Sequence, residues 1–263
     1  MGKDSRSIKN RTVSGRHIFA VLISVFVITG AFALYRLIST EVNYTAAQEE
    51  YEELRQYSPI RMSSPDWIET TPGPPESGQE SEPEPTPDIR PDLSAVNPDY
   101  AGWIRILGTV IDYPVVHGTD NVKYLNTTFR GERNPSGSIF IDSVCSDDFT
   151  GFTLIHGHHM RDGSMFSDLN NFPGTRFTDV EILIYTKNSE LLIFNIFDVK
   201  RVSDSDNIFS LPGKGHDETA RYFSAYNITA EDLQDGTDIL VLATCTDSSG
   251  SERLLVMAKR TGT

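Results

Sequence analysis

Nine of the fourteen prolines in this 263-residue chain fall between residues 58 and 91, interleaved with Glu, Ser and Gly. Proline fixes φ and offers no backbone N–H, so the stretch supports neither a helix interior nor a central strand. It also has too few apolar side chains to offset the entropy of ordering. It is expected to be an extended, semi-rigid spacer. Whatever folds must lie on either side of it, and the two sides differ sharply.

Upstream, Lys3, Arg6, Lys9, Arg11 and Arg16 precede an uncharged apolar run from Ile18 to Leu34. At 1.5 Å per residue such a run spans about 25 Å, enough for a short membrane helix with snorkelling ends. The basic flank predicts a cytoplasmic N-terminus and an exported remainder. Ala31-Phe32-Ala33 has the small-x-small form of a signal-peptidase site, so a cleaved leader is the alternative to an uncleaved anchor. Residues 40–57 read as a polar helix leaving the membrane. Tyr44, Tyr51 and Leu54 form only a thin apolar stripe on it, as expected of a solvated stalk. The resulting division is a basic cytoplasmic tail (1–17), a transmembrane signal anchor (18–38), an acidic, Pro-rich extracellular stem (39–87) and a catalytic domain (88–263).

Downstream, short β-rich runs dominate: Trp103–Ile106, Val110–Val116, Ser138–Asp142, Thr153–His156, Val180–Thr186, Leu191–Val202, Asp238–Thr244 and Arg253–Lys259. Lys187-Asn188-Ser189 is a hairpin-like turn between two alternating runs. Asp217–Tyr226 reads as a helix with Ala220, Phe223 and Tyr226 on one face. The pattern predicts a mainly β domain, a closed or nearly closed barrel with inserted helices. The formal net charge of −14 argues against a nucleic-acid partner. Two cysteines, Cys145 and Cys245, are too few for a disulfide scaffold.

Cys245 ends an apolar strand-like run and opens into Thr246, Asp247, Ser248, Ser249 and Gly250. Arg253 begins the next run, so a hairpin would bring thiol and guanidinium together. A guanidinium there favours the thiolate and can stabilise an oxyanion. His156, His158 and His159 cluster after another apolar run. Their residue type suits a zinc site as well as a cysteine–histidine pair. Cys145 sits in a polar stretch and reads as an incidental thiol.

Three ordered segments carry a resemblance. GTVIDYPVVHGTDNVKYLNTTFRGERNPSGSIFID (108–142), TLIHGHHMRDGSMFSDL (153–169) and LATC (242–245) followed by Arg253 resemble a class B sortase of Gram-positive bacteria. The resemblance implies an eight-stranded sortase barrel. It implies His158 as acid/base, the histidine directly after glycine, with Cys245 as nucleophile and Arg253 as oxyanion partner. Thr244 would touch substrate. Val241 stands where the cysteine motif of the family begins with Thr, and His156 stands where class B members often have Tyr. The segment Gly163-Ser164-Met165-Phe166 would pack at a helix start, and the helix at 217–226 would shape the substrate groove.

The implied activity is transpeptidation at the cell wall. Exported proteins bearing a C-terminal sorting motif would be cut through a thioester. The acyl group would then pass to an amine of a peptidoglycan precursor or of a pilin lysine, with no cofactor and no metal. The competing readings are an exported zinc-dependent hydrolase built on His156, His158 and His159, and a non-catalytic surface binding module.

Overall fold

In the computed structural model, which describes residues 15–59, 92–172, 180–245 and 251–261, eight strands close on themselves. They run β1 (Tyr100–Ile106), β2 (Asp112–His117), β3 (Ile139–Ile141), β4 (Phe152–His156), β5 (Glu181–Thr186), β6 (Leu191–Ser203), β7 (Ile239–Cys245) and β8 (Glu252–Arg260). The barrel order is β1-β2-β3-β4-β7-β8-β6-β5, and β5 pairs back onto β1 to close it. Closure leaves no unpaired edge within the barrel wall. All eight expected runs became strands.

Two pairings are parallel, β2 with β3 and β4 with β7. Each parallel pair needs a long connection, and these connections carry most of the non-barrel structure. The β2–β3 connection buries Tyr124 and Phe129. Asn97 ties them down, its Nδ2 donating to the Tyr124 hydroxyl at 3.1 Å and to the Phe129 carbonyl at 2.9 Å. The β5–β6 connection is the expected tight turn, with Ser189 at φ 69°.

A one-turn helix, α2 (Leu93–Val96), precedes β1, and the β6–β7 connection carries α3 (His216–Phe223) and α4 (Ala230–Gln234). Helix α4 was not foreseen, although Thr229 and Asp232 form a capping box at its start. Helix α3 inserts Phe223 between Phe152 and Phe197, at ring-centroid distances of 6.1 Å and 6.2 Å.

Strand β7 is central to the wall. Ile239, Leu240, Val241 and Leu242 are all fully buried, each contributing about 1.5–3 kcal/mol relative to exposure. At its start, the buried Asp238 carboxylate accepts from the Gly151 N–H at 2.7 Å and from Arg260 Nη1 at 3.0 Å. A buried carboxylate is tolerated because both oxygens are engaged.

The stalk expected at 40–57 is corrected by the structure. Helix α1 (Gly15–Arg55) is 41 residues long. The chain falls into two units, Met1–Thr45 and Ala46–Thr263, so the compact unit begins at Ala46 and not at 88. Within that unit Ala47, Tyr51 and Leu54 are buried. Their i, i+4, i+7 spacing puts them on one helix face. Glu50 is buried too, because its Oε1 accepts from the Arg130 N–H at 2.9 Å. Arg55 donates to the Asp112 and Val110 carbonyls, both at 3.2 Å, and lies 5.0 Å from the Tyr113 ring centroid. A thin stripe suffices when its polar neighbours find backbone partners.

In the first unit, Phe19, Leu22, Phe26, Ile28, Phe32 and Leu34 are exposed on α1. Among the described residues no helix is long and apolar enough to cross a membrane. The basic N-terminal residues 1–14, the Pro-rich segment 60–91 and the polar loop 246–250 lie outside the described residues.

Leu54 and Glu52 test the docked helix end. Leu54→Ala should cost about 2–5 kcal/mol, whereas Glu52→Ala, on the exposed side, should cost less than about 1 kcal/mol. Denaturant melts of the two variants beside wild type measure the difference.

Candidate active site

The parallel β4–β7 pairing sets the site. Residues Phe152 to His156 run alongside Ile239 to Ala243 in register, and the Gly157 N–H extends the ladder to the Ala243 carbonyl at 3.2 Å. On the other side of β7, Cys245 pairs with Arg253 of β8. The histidine-bearing end of β4 and the cysteine-bearing end of β7 therefore emerge at the same rim, with Arg253 one strand further on. A cleft of about 310 Å³ opens there, lined by His156, His158, Thr244 and Arg253 among others. Leu125, Asp204 and Phe209 supply further wall.

The three histidines part company in the structure. His158 is half-buried, with Nε2 at 2.8 Å from the Leu125 carbonyl. A carbonyl only accepts, so Nε2 carries a hydrogen and Nδ1 is the nitrogen left for proton exchange. His156 places Nε2 at 3.2 Å from Asp142 Oδ2, with its ring tilted against Phe140 at 5.1 Å. His159 is exposed, its Nδ1 at 3.2 Å from Asn170 Nδ2. Three imidazoles engaged with three separate partners do not converge on one ion, and among the described residues no group of three or more His, Cys, Asp or Glu is placed to hold a metal.

Gly157 has a steric reason to lie between two of these histidines. A Cβ there would come within 2.5 Å of the Phe166 ring and 2.6 Å of Ile139 Cδ1. The side chains of Met165 and Phe166 are fully buried ahead of the short helical turn at Ser167–Asn171, the packing role expected of them.

Asp142 was not singled out from the sequence. Burial raises its carboxyl pKa, but the hydrogen bond with His156, the Val144 N–H and Asn121 together outweigh it and hold the group below the usual carboxylate value. Asn121 Nδ2 donates to Asp142 at 2.8 Å, and Asn121 Oδ1 accepts the Ser143 N–H at 2.8 Å. Thr244 is 2% exposed, and its Oγ1 has no partner among the described residues. Arg253 is half-buried, with Nη1 donating to the neighbouring Glu252 carbonyl at 3.3 Å.

The helix expected to shape the groove does not line it. Asp204 and Phe209, from the chain ahead of α3, form that wall, while His216 and Thr219 of α3 line a separate cavity of about 170 Å³ beside Cys145. Helix α3 is drawn away by the Phe223 cluster. Cys145 is buried and its Sγ accepts the Leu154 N–H at 3.4 Å. Burial pushes its thiol up to about 11, so at neutral pH it is protonated and unreactive.

Compared with known proteins, the chain matches the sortase domain family model over residues 104–261. The chain belongs to the sortase family. It is 27% identical over 259 residues to sortase B of Staphylococcus aureus, covering 91% of this chain and 93% of that protein. Among solved structures, Clostridium perfringens sortase B matches with a TM-score of 0.58 and 28% identity, over 65% of this chain and 98% of that one. A Streptococcus pyogenes class B sortase involved in pilus biogenesis matches with a TM-score of 0.55 and 29% identity, over 65% and 96%. This sortase is of class B, a cysteine transpeptidase.

Two outcomes follow from the polar groups of this sortase. Cys145→Ser should leave turnover within about twofold, since a thiol of raised pKa takes no part in chemistry; steady-state kinetics check it. Asp142 has a depressed folded pKa. Its stabilising contribution should be present above the unfolded value of 3.8 and disappear as pH falls through the lower folded value. The melting difference between wild type and Asp142→Asn should therefore be constant at neutral pH and narrow only in acid below that range.

Proposed function

We propose that Cys245, His158 and Arg253 carry the transpeptidation, with the acyl donor an exported protein bearing a C-terminal sorting motif. The observation that carries this reading is the register: Cys245 is paired with Arg253 at the rim where His158 emerges from β4 and lines the same cleft as Arg253. The Cys245 thiolate attacks the carbonyl carbon of the scissile peptide bond, forming a C–S bond and moving the π electrons onto oxygen. Arg253 N–H groups receive that oxyanion. As the intermediate collapses, the C–N bond breaks and His158 Nδ1–H protonates the leaving nitrogen.

A thioester remains on Cys245. In the second half, an incoming amine attacks the thioester carbonyl, His158 Nδ1 takes the ammonium proton, and the thiolate leaves. One peptide bond is lost and one amide is gained, so no cofactor or metal enters the balance. The acceptor is an amine of a peptidoglycan precursor or of a pilin lysine. Thr244, buried under the cleft with a hydroxyl that has no partner among the described residues, is a substrate-binding residue that would hydrogen-bond the bound backbone.

The enzyme is proposed to work outside the cytoplasmic membrane, held by the run Ile18–Leu34 as a single-pass anchor. Exposed apolar side chains on this part of α1 and the basic residues before it support that reading. Both proposed substrates, the exported protein and the wall or pilin amine, are available there.

The test is a library of sorting-motif peptides with the acyl-enzyme trapped and located by mass spectrometry. The expected adduct is on Cys245, and an adduct on Cys145 would remove the assignment. Cys245→Ala should abolish cleavage while leaving peptide binding, and His158→Ala should abolish turnover. His156→Tyr should leave a measurable rate. Arg253→Ala should slow acylation by about 10²–10³, with Arg253→Lys recovering only part, because an ammonium lacks the planar fork of donors.

A further inference from the structure

We infer that Tyr51, near the C-terminal end of α1, is a positioning residue for His158, acting through the backbone at Gly137 and Leu125. The inference deepens the functional reading above, and its kinetic arm rests on that reading. Tyr51 does not line the cleft. It is 4% exposed, and its hydroxyl donates to the Gly137 carbonyl at 2.6 Å, with Ser138 Oγ at 3.3 Å. A phenol packed only for its ring would not need an internal acceptor, and a buried hydroxyl without one is costly.

Gly137 lies against the Tyr124 and Leu125 carbonyls, the second of which faces His158. It has φ +57°, and a Cβ on it would sit 2.4 Å from the Tyr124 oxygen and 2.8 Å from the Leu125 oxygen. The next residue, Ser138, donates its N–H to the Tyr124 carbonyl at 2.9 Å. The turn at 137–138 is thus pressed onto residues 124–125, and the Leu125 carbonyl is the partner of His158 Nε2 at 2.8 Å. The same tyrosine also supports the main chain of His158. Its ring meets Tyr113 edge-on at 5.3 Å, and the Tyr113 hydroxyl accepts the Met165 N–H at 3.0 Å. Met165 holds φ 57°, a conformation rare for a residue with a side chain and one that needs outside support. The following residue, Phe166, donates its N–H to the His158 carbonyl at 2.9 Å.

Ring and backbone of one histidine are therefore each three contacts from one phenol on the N-terminal helix. Burial keeps that phenol protonated far above neutral pH. It remains a donor under every condition in which the enzyme would work. A proton carrier held by a single carbonyl has its reach set by where that carbonyl sits, and small misplacements of such groups are expensive in rate.

The experiment uses full-length protein in detergent micelles and Tyr51→Phe, which deletes one oxygen and keeps the ring. Two quantities are read: the Nε2–H resonance of ¹⁵N-labelled His158, assigned by its loss in His158→Gln, and the split between kcat and KM for a sorting peptide. The expected result is a sharp, slowly exchanging Nε2–H in wild type that broadens or vanishes in a Tyr51→Phe protein of normal melting behaviour. With it, kcat should fall about tenfold or more while KM stays within about twofold. An unchanged His158 resonance in folded Tyr51→Phe overturns the inference, as does its absence from wild type. Should Tyr51→Phe fail to melt cooperatively, Tyr113→Phe cuts the main-chain arm and is read by the same resonance. A wild-type protein that turns over no sorting peptide would overturn the functional reading instead, and the resonance would still decide the part played by Tyr51.

Discussion

The parallel pairing of β4 with β7 is the contact on which the site depends. Its hydrogen bonds join segments far apart in sequence, from Phe152↔Ile239 to His156↔Ala243. Such a ladder costs loop closure before it gives anything back. The return comes from β7, whose side chains are buried from Ile239 to Thr244, and from Asp238, which ties Gly151, just ahead of β4, to Arg260 at the end of β8. Slippage by one residue would exchange the two buried faces of β7 and disrupt the packing on both. It would also part His158 from Cys245 and Arg253. The core that stabilises the barrel and the alignment of the candidate residues are thus set by one register.

The two cleft histidines differ in what holds them. His156 is bound to a carboxylate that is itself fixed by Asn121 and the Val144 N–H. His158 is bound to a neutral carbonyl. The carboxylate and the carbonyl both accept from an N–H, so each contact fixes which ring nitrogen carries a hydrogen and how the ring is turned. Two histidines two residues apart are thus held by different parts of the chain, His156 by Asp142 just after β3 and His158 by Leu125 in the β2–β3 connection.

The strands were legible because their apolar runs are short, alternating and bounded by turns, as with Val180–Thr186 and Leu191–Val202 around Lys187-Asn188-Ser189. The opposition of Cys245 and Arg253 was legible from their spacing across a short loop. Leu125 was not, because it acts through its carbonyl and any residue has one. Asp142 and Asn121 belonged to the quoted family segment, yet nothing in spacing alone joined them to His156. Asp204 and Phe209 were missed for a different reason. The helix at 216–223 was the obvious insertion, and its Phe223 is held elsewhere by Phe152 and Phe197. The end of α1 misled because Ala47, Tyr51 and Leu54 make too narrow a stripe to signal burial, while the partners that complete it, Arg130, Gly137 and Asp112, lie well over fifty residues on.

That docked helix end changes the meaning of the proline-rich segment. Ser58 is buried with its hydroxyl 3.1 Å from Asp112 Oδ1, and Leu93 is buried where the chain resumes. Both belong to the same unit. The proline-rich segment thus begins and ends on one body, so the entropy of closing it depends only weakly on the number of residues between Ser58 and Leu93. Halving or doubling such a loop changes its closure free energy by only about 0.6 kcal/mol. The number of residues between Ser58 and Leu93 is therefore free to drift at little cost to the barrel.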